Sequence, residues 1–194
     1  MNKLYDNDSI ELIVIYSDIV SSTPIVSKLP SEQIPIFYKI FSNEVIRIIN
    51  DFGGVVYKSV GDEIIAIFPI PDTAWIPTID DAIRCACYIK DVTKHVISPL
   101  AESLSLPKIE CRIGLDYGEA QIVNIGVKNI FLSLEILGHV MNVAAKIRGK
   151  ANPGQITLGD NLRNQLHVSY KLLCKEIDKL IIGENEYRVF QLDV

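Results

Sequence analysis

Residues 55–68 read VVYKSVGDEIIAIF, two runs of β-branched and aliphatic residues on either side of a Gly61-Asp62 pair. That composition around a Gly-Asp dipeptide predicts a β-hairpin. Three charged side chains, Lys58, Asp62 and Glu63, nevertheless stand in or beside its tip.

Upstream, Gly53-Gly54 close a helix that begins near Ser31, with Phe37, Ile40, Phe41, Val45, Ile48 and Ile49 spaced for one apolar face. Before it, ELIVIYSDIV at 11–20 predicts a strand with little alternation, central and covered on both faces. Asp18 interrupts it near its end, and a carboxylate buried there must be paired or metal-bound. Downstream, Pro69, Pro71 and Pro77 break the pattern, and Thr78 with Asp81 has the form of a capping box opening a helix to about His95. KIECRIGL at 108–115 and EAQIVNI at 119–125 predict two strands joined by a DYG turn. A helix over about Gly138 to Gly149 follows, then NPGQITL as a turn into a strand, then two or three strands to the end. Hairpins alternating with helices predict one α+β domain over 1–194, with helices on one face of a largely antiparallel sheet.

With 194 residues, 48% hydrophobic, and a net charge of −5, the chain can bury a real core. The negative charge argues against nucleic acid or an anionic membrane as the main partner and leaves small ligands and proteins. LIVIYSDIV is too short to span a bilayer and has no basic flank, which predicts a soluble, cytoplasmic chain. Cys85, Cys87, Cys111 and Cys174 show no metal-like spacing and are expected as reduced core thiols.

Asp18 and Asp62 each stand at the end of an aliphatic strand, and a first strand beside the central hairpin would bring them together. Two close carboxylates repel unless a cation intervenes, and oxygen ligands of this kind suit Mg²⁺ or Mn²⁺ alongside phosphates. The IVSST stretch after Asp18 offers successive N–H groups and hydroxyls for a phosphate-binding turn. Taken singly, Asp62 reads equally as a hairpin-turn residue and Asp18 as a helix cap. Asn142 and Lys146, four apart, share a helix face and can aim an amide and a cation at developing negative charge, or simply be solvated.

IYSDIVSST, GGVVYKSVGDEIIAIF, RIGLDYGEAQIVNIG, EILGHVMNVAAKIRG and NPGQITL together resemble, in order and spacing, the motifs of class III nucleotidyl cyclase catalytic domains over roughly 11–194. The resemblance implies a ferredoxin-like βαββαβ core with extra C-terminal strands, and a head-to-tail homodimer with active sites at the interface. It implies two divalent ions, Mn²⁺ or Mg²⁺, held by Asp18, Asp62 and the Ile19 carbonyl, and a phosphate turn over Val20, Ser21, Ser22 and Thr23. Lys58 and Glu135 fall on the base-reading positions, with Tyr57 beside them as core, interface or base contact. Asn142 and Lys146 fall on the ribose-orienting and transition-state positions. Lys58 and Asp62 are roughly 13 Å apart on an extended chain at about 3.3 Å per residue. In the implied dimer one hairpin tip would serve two sites, Asp62 its own and Lys58 the partner's.

Some residues depart from the family pattern. Lys146 stands where relatives carry arginine, keeping the charge but losing the planar fork. Arg148, Lys171 and Lys175 are candidates to compensate. Glu135 matches neither purine pattern fully and favours a smaller pyrimidine ring, as in stand-alone bacterial antiphage cyclases that make cyclic UMP or cyclic CMP. Adenylate cyclase is the alternative, and a catalytically silent nucleotide-binding dimerisation module is the alternative of another class. The VGDEI stretch also resembles diguanylate cyclases, but NVAAK and the absence of that family's paired glycines oppose it. Glu63 is expected to be exposed or turn-stabilising, and His139, Arg148 and Trp75 structural.

Overall fold

A computed structural model describes residues 9–71 and 73–194. In chain order the elements are β1 (Ser9–Ile19), α1 (Ser22–Val26), α2 (Ile34–Asp51), β2 (Val55–Val60), β3 (Glu63–Pro69) and α3 (Trp75–Val92). A π-helical turn (Thr93–Ile97) then leads into α4 (Ser98–Ser103), followed by β4 (Cys111–Val127), β5 (Phe131–Leu137), α5 (His139–Arg148) and β6 (Ile156–Gly159). The chain finishes with α6 (Asp160–Gln165), α7 (Val168–Lys171), β7 (Cys174–Ile182) and β8 (Asn185–Leu192). The strands form one sheet ordered β2-β3-β1-β4-β6-β8-β7, with β5 paired to β4 off that path. Among the described residues only the β4–β6 seam is parallel. The β1-α2-β2-β3-α3-β4 portion is the expected ferredoxin-like core, and the class is α+β.

The alternation along β1 sends Ile13, Ile15 and Ile19 into a core with Phe37, Phe41, Val45, Ile83 and Ala86 of α2 and α3. Leu12, Val14 and Tyr16 face the other way, onto Val140, Met141 and Ala144 of α5. β1 is thus covered on both faces, as its unbroken apolar run predicts. Helices lie on both faces rather than one, because α5 needs a second apolar surface for its Val140, Met141 and Ala144 stripe. Each such aliphatic side chain contributes about 1.5–3 kcal/mol by leaving water.

The 55–68 hairpin forms as predicted, turning at Gly61, whose φ of +64° is costly for any residue with a Cβ. Two local expectations fail. Thr78 does not cap a helix: α3 starts at Trp75, and the Thr78 hydroxyl donates back to the Ala74 carbonyl at 2.8 Å. Nor is DYG a turn. β4 runs unbroken through it, paired to β1 from Ile19↔Cys111 to Ser9↔Gln121. The hairpin reverses at 128–130 instead and returns as β5. The four cysteines are free, Cys85 and Cys111 buried and Cys87 and Cys174 half-buried. Among the described residues no helix is long and apolar enough to cross a membrane.

Candidate active site

Ser17 of β1 pairs with Ile64 of β3, so the next residue on β1, Asp18, arrives at the sheet end where the β2–β3 hairpin turns. There the Ile19 N–H donates to Asp62 Oδ2 at 3.1 Å, tying the strand that carries one carboxylate to the other. Asp18 is buried, at 7% exposed. Its charge is met by two guanidinium groups. Arg112 of β4, its cross-strand partner, donates from Nε to Oδ1 at 2.8 Å and from Nη2 to Oδ2 at 3.0 Å. Arg148, in the last turn of α5, donates from Nη1 to Asp18 Oδ2 at 2.5 Å. Its Nη2 donates to both oxygens of Glu63, at 2.9 and 3.1 Å.

Glu63 is therefore a half-buried member of the site, contrary to the exposed role expected of it. Burial, with Asp18 and Asp62 nearby, holds its carboxyl above the usual range against the pull of Arg148. Arg148 is not the compensating neighbour of Lys146 but a partner of Asp18. The hydrogen bonds Arg112 donates to Asp18 in turn hold its guanidinium above its ordinary value. Lys171, another of the three candidates, donates to the Asn164 carbonyl at 2.7 Å.

The turn after Asp18 folds as a helix entry. The Val20 N–H donates to the Glu110 carbonyl at 2.8 Å, and Ser21 takes a left-handed conformation, φ 57°, before α1. Ser22 is buried while Ser21 and Thr23 are exposed. Pro24 has no N–H, so the first-turn donors that can face an anion are those of Ser22 and Thr23.

A second cluster centres on Glu135 of β5. Lys58 Nζ donates to its Oε2 at 2.5 Å, the Tyr57 hydroxyl to the same oxygen at 2.5 Å, and the Ser133 hydroxyl to Oε1 at 2.8 Å. A bulge between Val56 and Lys58 defeats the simple alternation that would turn Tyr57 away from Lys58. The Tyr57 oxygen also accepts the Ile136 N–H at 3.0 Å, and its ring lies 4.9 Å from Lys58 Nζ. The bond from Lys58, then those from Tyr57 and Ser133, hold the Glu135 carboxyl down at about 2, and the same contact holds Lys58 up. Asn142 and Lys146 lie on the exposed side of α5, whose Val140, Val143, Ala144 and Ile147 are buried.

Two carboxylates and the main-chain carbonyl of Ile19 make a hard oxygen set that fits Mg²⁺ or Mn²⁺ in kind. The two guanidinium groups on Asp18 mark the same spot as one that calls for positive charge. Of the residues singled out from sequence, the structure places Asp18 and Asp62 at one sheet end, linked through the Ile19 N–H, and Lys58 against Glu135. Sequence reasoning missed the site contacts of Arg112, Arg148 and Glu63, whose partners lie on elements remote in sequence, and that of Ser133, whose strand was not read; only the arginine in RIGL, one residue into a strand, hinted at a charge needing company.

Comparison with known proteins agrees with this geometry. A cytidylate cyclase of Escherichia coli is 27% identical over 184 residues, covering 88% of this chain and 40% of the relative. A cytidylate cyclase of Staphylococcus aureus is 23% identical over 168 residues, covering 85% of this chain and 40% of the relative. The chain thus spans about 40% of the length of these curated relatives. The crystal structure of the adenylyl cyclase CyaB from P. aeruginosa superposes with a TM-score of 0.85 at 20% identity, covering 97% of this chain and 96% of that one. The model of the adenylate and guanylate cyclase catalytic domain matches residues 4–193, and with that span, the shared fold and the paired aspartates at one sheet end, the chain belongs to the adenylate and guanylate cyclase catalytic domain family.

Proposed function

We propose that the chain is a nucleotidyl cyclase converting a pyrimidine nucleoside triphosphate, CTP ahead of UTP, to the 3′,5′-cyclic monophosphate and pyrophosphate, as a head-to-tail homodimer. The observation that carries this reading is the convergence of Asp18 and Asp62 on one sheet end through the Ile19 amide. Two divalent ions held by Asp18, Asp62 and the Ile19 carbonyl would neutralise the triphosphate and ease deprotonation of the ribose 3′-hydroxyl. The Val20–Thr23 turn binds phosphate oxygens, Asn142 orients the ribose, and Lys146 places its charge beside the α-phosphate. The 3′-oxygen attacks that phosphorus in line, the bond to the bridging oxygen breaks, and pyrophosphate leaves as the hydroxyl proton is released.

Base choice rests on the Glu135 cluster. Glu135 is fixed as an acceptor and Lys58 as a donor, a pairing that complements the N4 amine of cytosine and its neighbouring ring acceptors. The cytidylate cyclases among the relatives support the same choice. Adenine offers a similar amine beside an acceptor, so adenylate cyclase is the second reading. The exposed apolar side chains on the β4–β5 hairpin, Ile125, Val127, Ile130, Phe131, Leu132 and Leu134, support a dimer, and the exposed Asn142 and Lys146 suit a site completed by a partner. The cyclic product would act as a second messenger.

The test is incubation with ATP, GTP, CTP and UTP under Mn²⁺ or Mg²⁺, with products resolved by mass and Asp62→Ala as control. Cyclic CMP or cyclic UMP lost in the variant supports the proposal. Cyclic AMP alone overturns the base assignment, and nucleotide binding without any cyclic product establishes a silent module.

A further inference from the structure

Asp18 makes more contacts than a metal ligand in waiting requires. A carboxylate has about four lone-pair sites, and three on Asp18 are taken by Arg112 Nε, Arg112 Nη2 and Arg148 Nη1. Oδ2 carries two of the three and one site on Oδ1 stays open, so a cation that takes Oδ2 can enter only if one of the bonds to that oxygen yields. The two arginines are not equivalent in what they would lose.

Arg112 lies beside Asp18 in the sheet register and makes both its bonds to that one side chain, one on each oxygen, in the fork geometry that suits a carboxylate. Taking Asp18 from it would leave a half-buried guanidinium without a carboxylate, which is costly. Arg148 differs. It shares Oδ2 with Arg112 and reaches it with a single nitrogen, while its other terminal nitrogen already holds both oxygens of Glu63. Its Nε is buried and meets no acceptor among the described residues. The group is therefore held by its two ends alone, with a second carboxylate to fall back on.

We propose that Arg148 is the resident counter-ion of Asp18, and that a divalent cation binds by exchange, displacing the Arg148 guanidinium wholly onto Glu63. The proposal rests on the reading of Asp18 and Asp62 as metal ligands. Arg148 is then a positioning residue that sets how much free metal the site needs. Glu63 is the docking point that makes the exchange reversible, and the Arg148–Glu63 pair ties the end of α5 to the β2–β3 hairpin in both states. Charge alone also predicts that removing Arg148 favours a cation, so the distinguishing feature is the shared oxygen. A lysine keeps the charge but cannot fork between two carboxylates.

The experiment is Mn²⁺ titration of the intact chain without nucleotide, with free Mn²⁺ read by electron paramagnetic resonance, on the wild type, Arg148→Gln, Arg148→Lys, Glu63→Gln and Asp62→Asn. Circular dichroism establishes that each variant is folded. Asp62→Asn is expected to lose binding seen in the wild type, while both Arg148 variants bind on the order of tenfold more tightly, the scale of one charge-assisted hydrogen bond. Glu63→Gln is expected to bind more weakly, because the displaced guanidinium has nowhere to go. Tighter binding by Arg148→Gln with wild-type affinity in Arg148→Lys overturns exchange in favour of through-space repulsion. Wild-type affinity in both variants overturns any role for Arg148. Binding equal in the wild type and Asp62→Asn overturns the metal-site reading itself, and the proposal with it. If Arg148→Gln does not fold, wild-type affinity in Arg148→Lys by itself overturns the exchange.

Discussion

Tyr57 and Lys58, adjacent in sequence, close on a single oxygen atom, Glu135 Oε2, each at 2.5 Å. Neighbours on a regular strand point to opposite faces, so the bulge at this position is what lets one carboxylate collect both. Tyr57→Phe removes a donor from Glu135 and the acceptor for the Ile136 N–H, while Lys58 remains. If the Glu135 cluster reads the base as proposed, KM for the preferred triphosphate should rise about tenfold with kcat little changed, since the base is remote from the reacting phosphorus. Steady-state kinetics with all four triphosphates checks this, and discrimination between bases should narrow as well.

Asp116 is 1% exposed and accepts hydrogen bonds from the Tyr187 hydroxyl, at 2.9 and 2.7 Å, and from the Leu162 N–H at 3.3 Å. Burial outweighs these bonds and lifts its carboxyl from 3.8 to about 7. Between those values the folded chain binds more protons than the unfolded one, so this group's contribution to stability falls as pH rises from about 4 and levels off above about 7. Thermal unfolding followed from pH 5 to pH 8 should show a loss on the order of a few kcal/mol that Asp116→Asn abolishes. A wild-type curve no steeper than that of the variant would contradict the assignment.

How far the sequence was legible follows physical lines. The 55–68 hairpin and the buried β1 were readable because β-branched runs have few alternatives, and Asp18 with Asp62 followed from where those strands end. The DYG stretch misled because its composition is that of a turn, while the reason it is extended lies with Leu162 and Tyr187, far along the chain. FLSLEIL, strand β5, went unread because much of it packs on no core: Phe131, Leu132 and Leu134 are exposed, so burial imposes no clean alternation. Arg148 went unread because nothing near it in sequence reports Asp18, 130 positions away.

Gly114 of β4 faces the last turn of α5, where a Cβ would lie 2.4 Å from the Arg148 nitrogen and 2.5 Å from its Cα. Backbone cannot yield as a flexible side chain can. Gly114→Ala should lift α5 from the sheet at a cost of roughly 3 kcal/mol. Because the same turn carries Arg148, activity should fall along with the unfolding midpoint in denaturant.

Ile130 and Phe131 are 83% and 65% exposed at the β4–β5 tip. Replacing both with aspartate touches no core, so circular dichroism should report an unchanged fold. If this hairpin carries the dimer, light scattering should report half the wild-type mass and turnover should be lost.

β4 is 17 residues long, roughly 55 Å at about 3.3 Å per residue. Residues 111–121 are riveted to β1, residues 121–127 to β5, and Gln121 is paired on both sides. The strand is a beam clamped at one end and cantilevered at the other, with Arg112 beside Asp18 at its root and the apolar tip at its free end. Such a beam has no fine adjustment, since a slip of one residue would turn every side chain to the opposite face. The strand that carries the apolar tip is thus the one that holds Arg112 against Asp18.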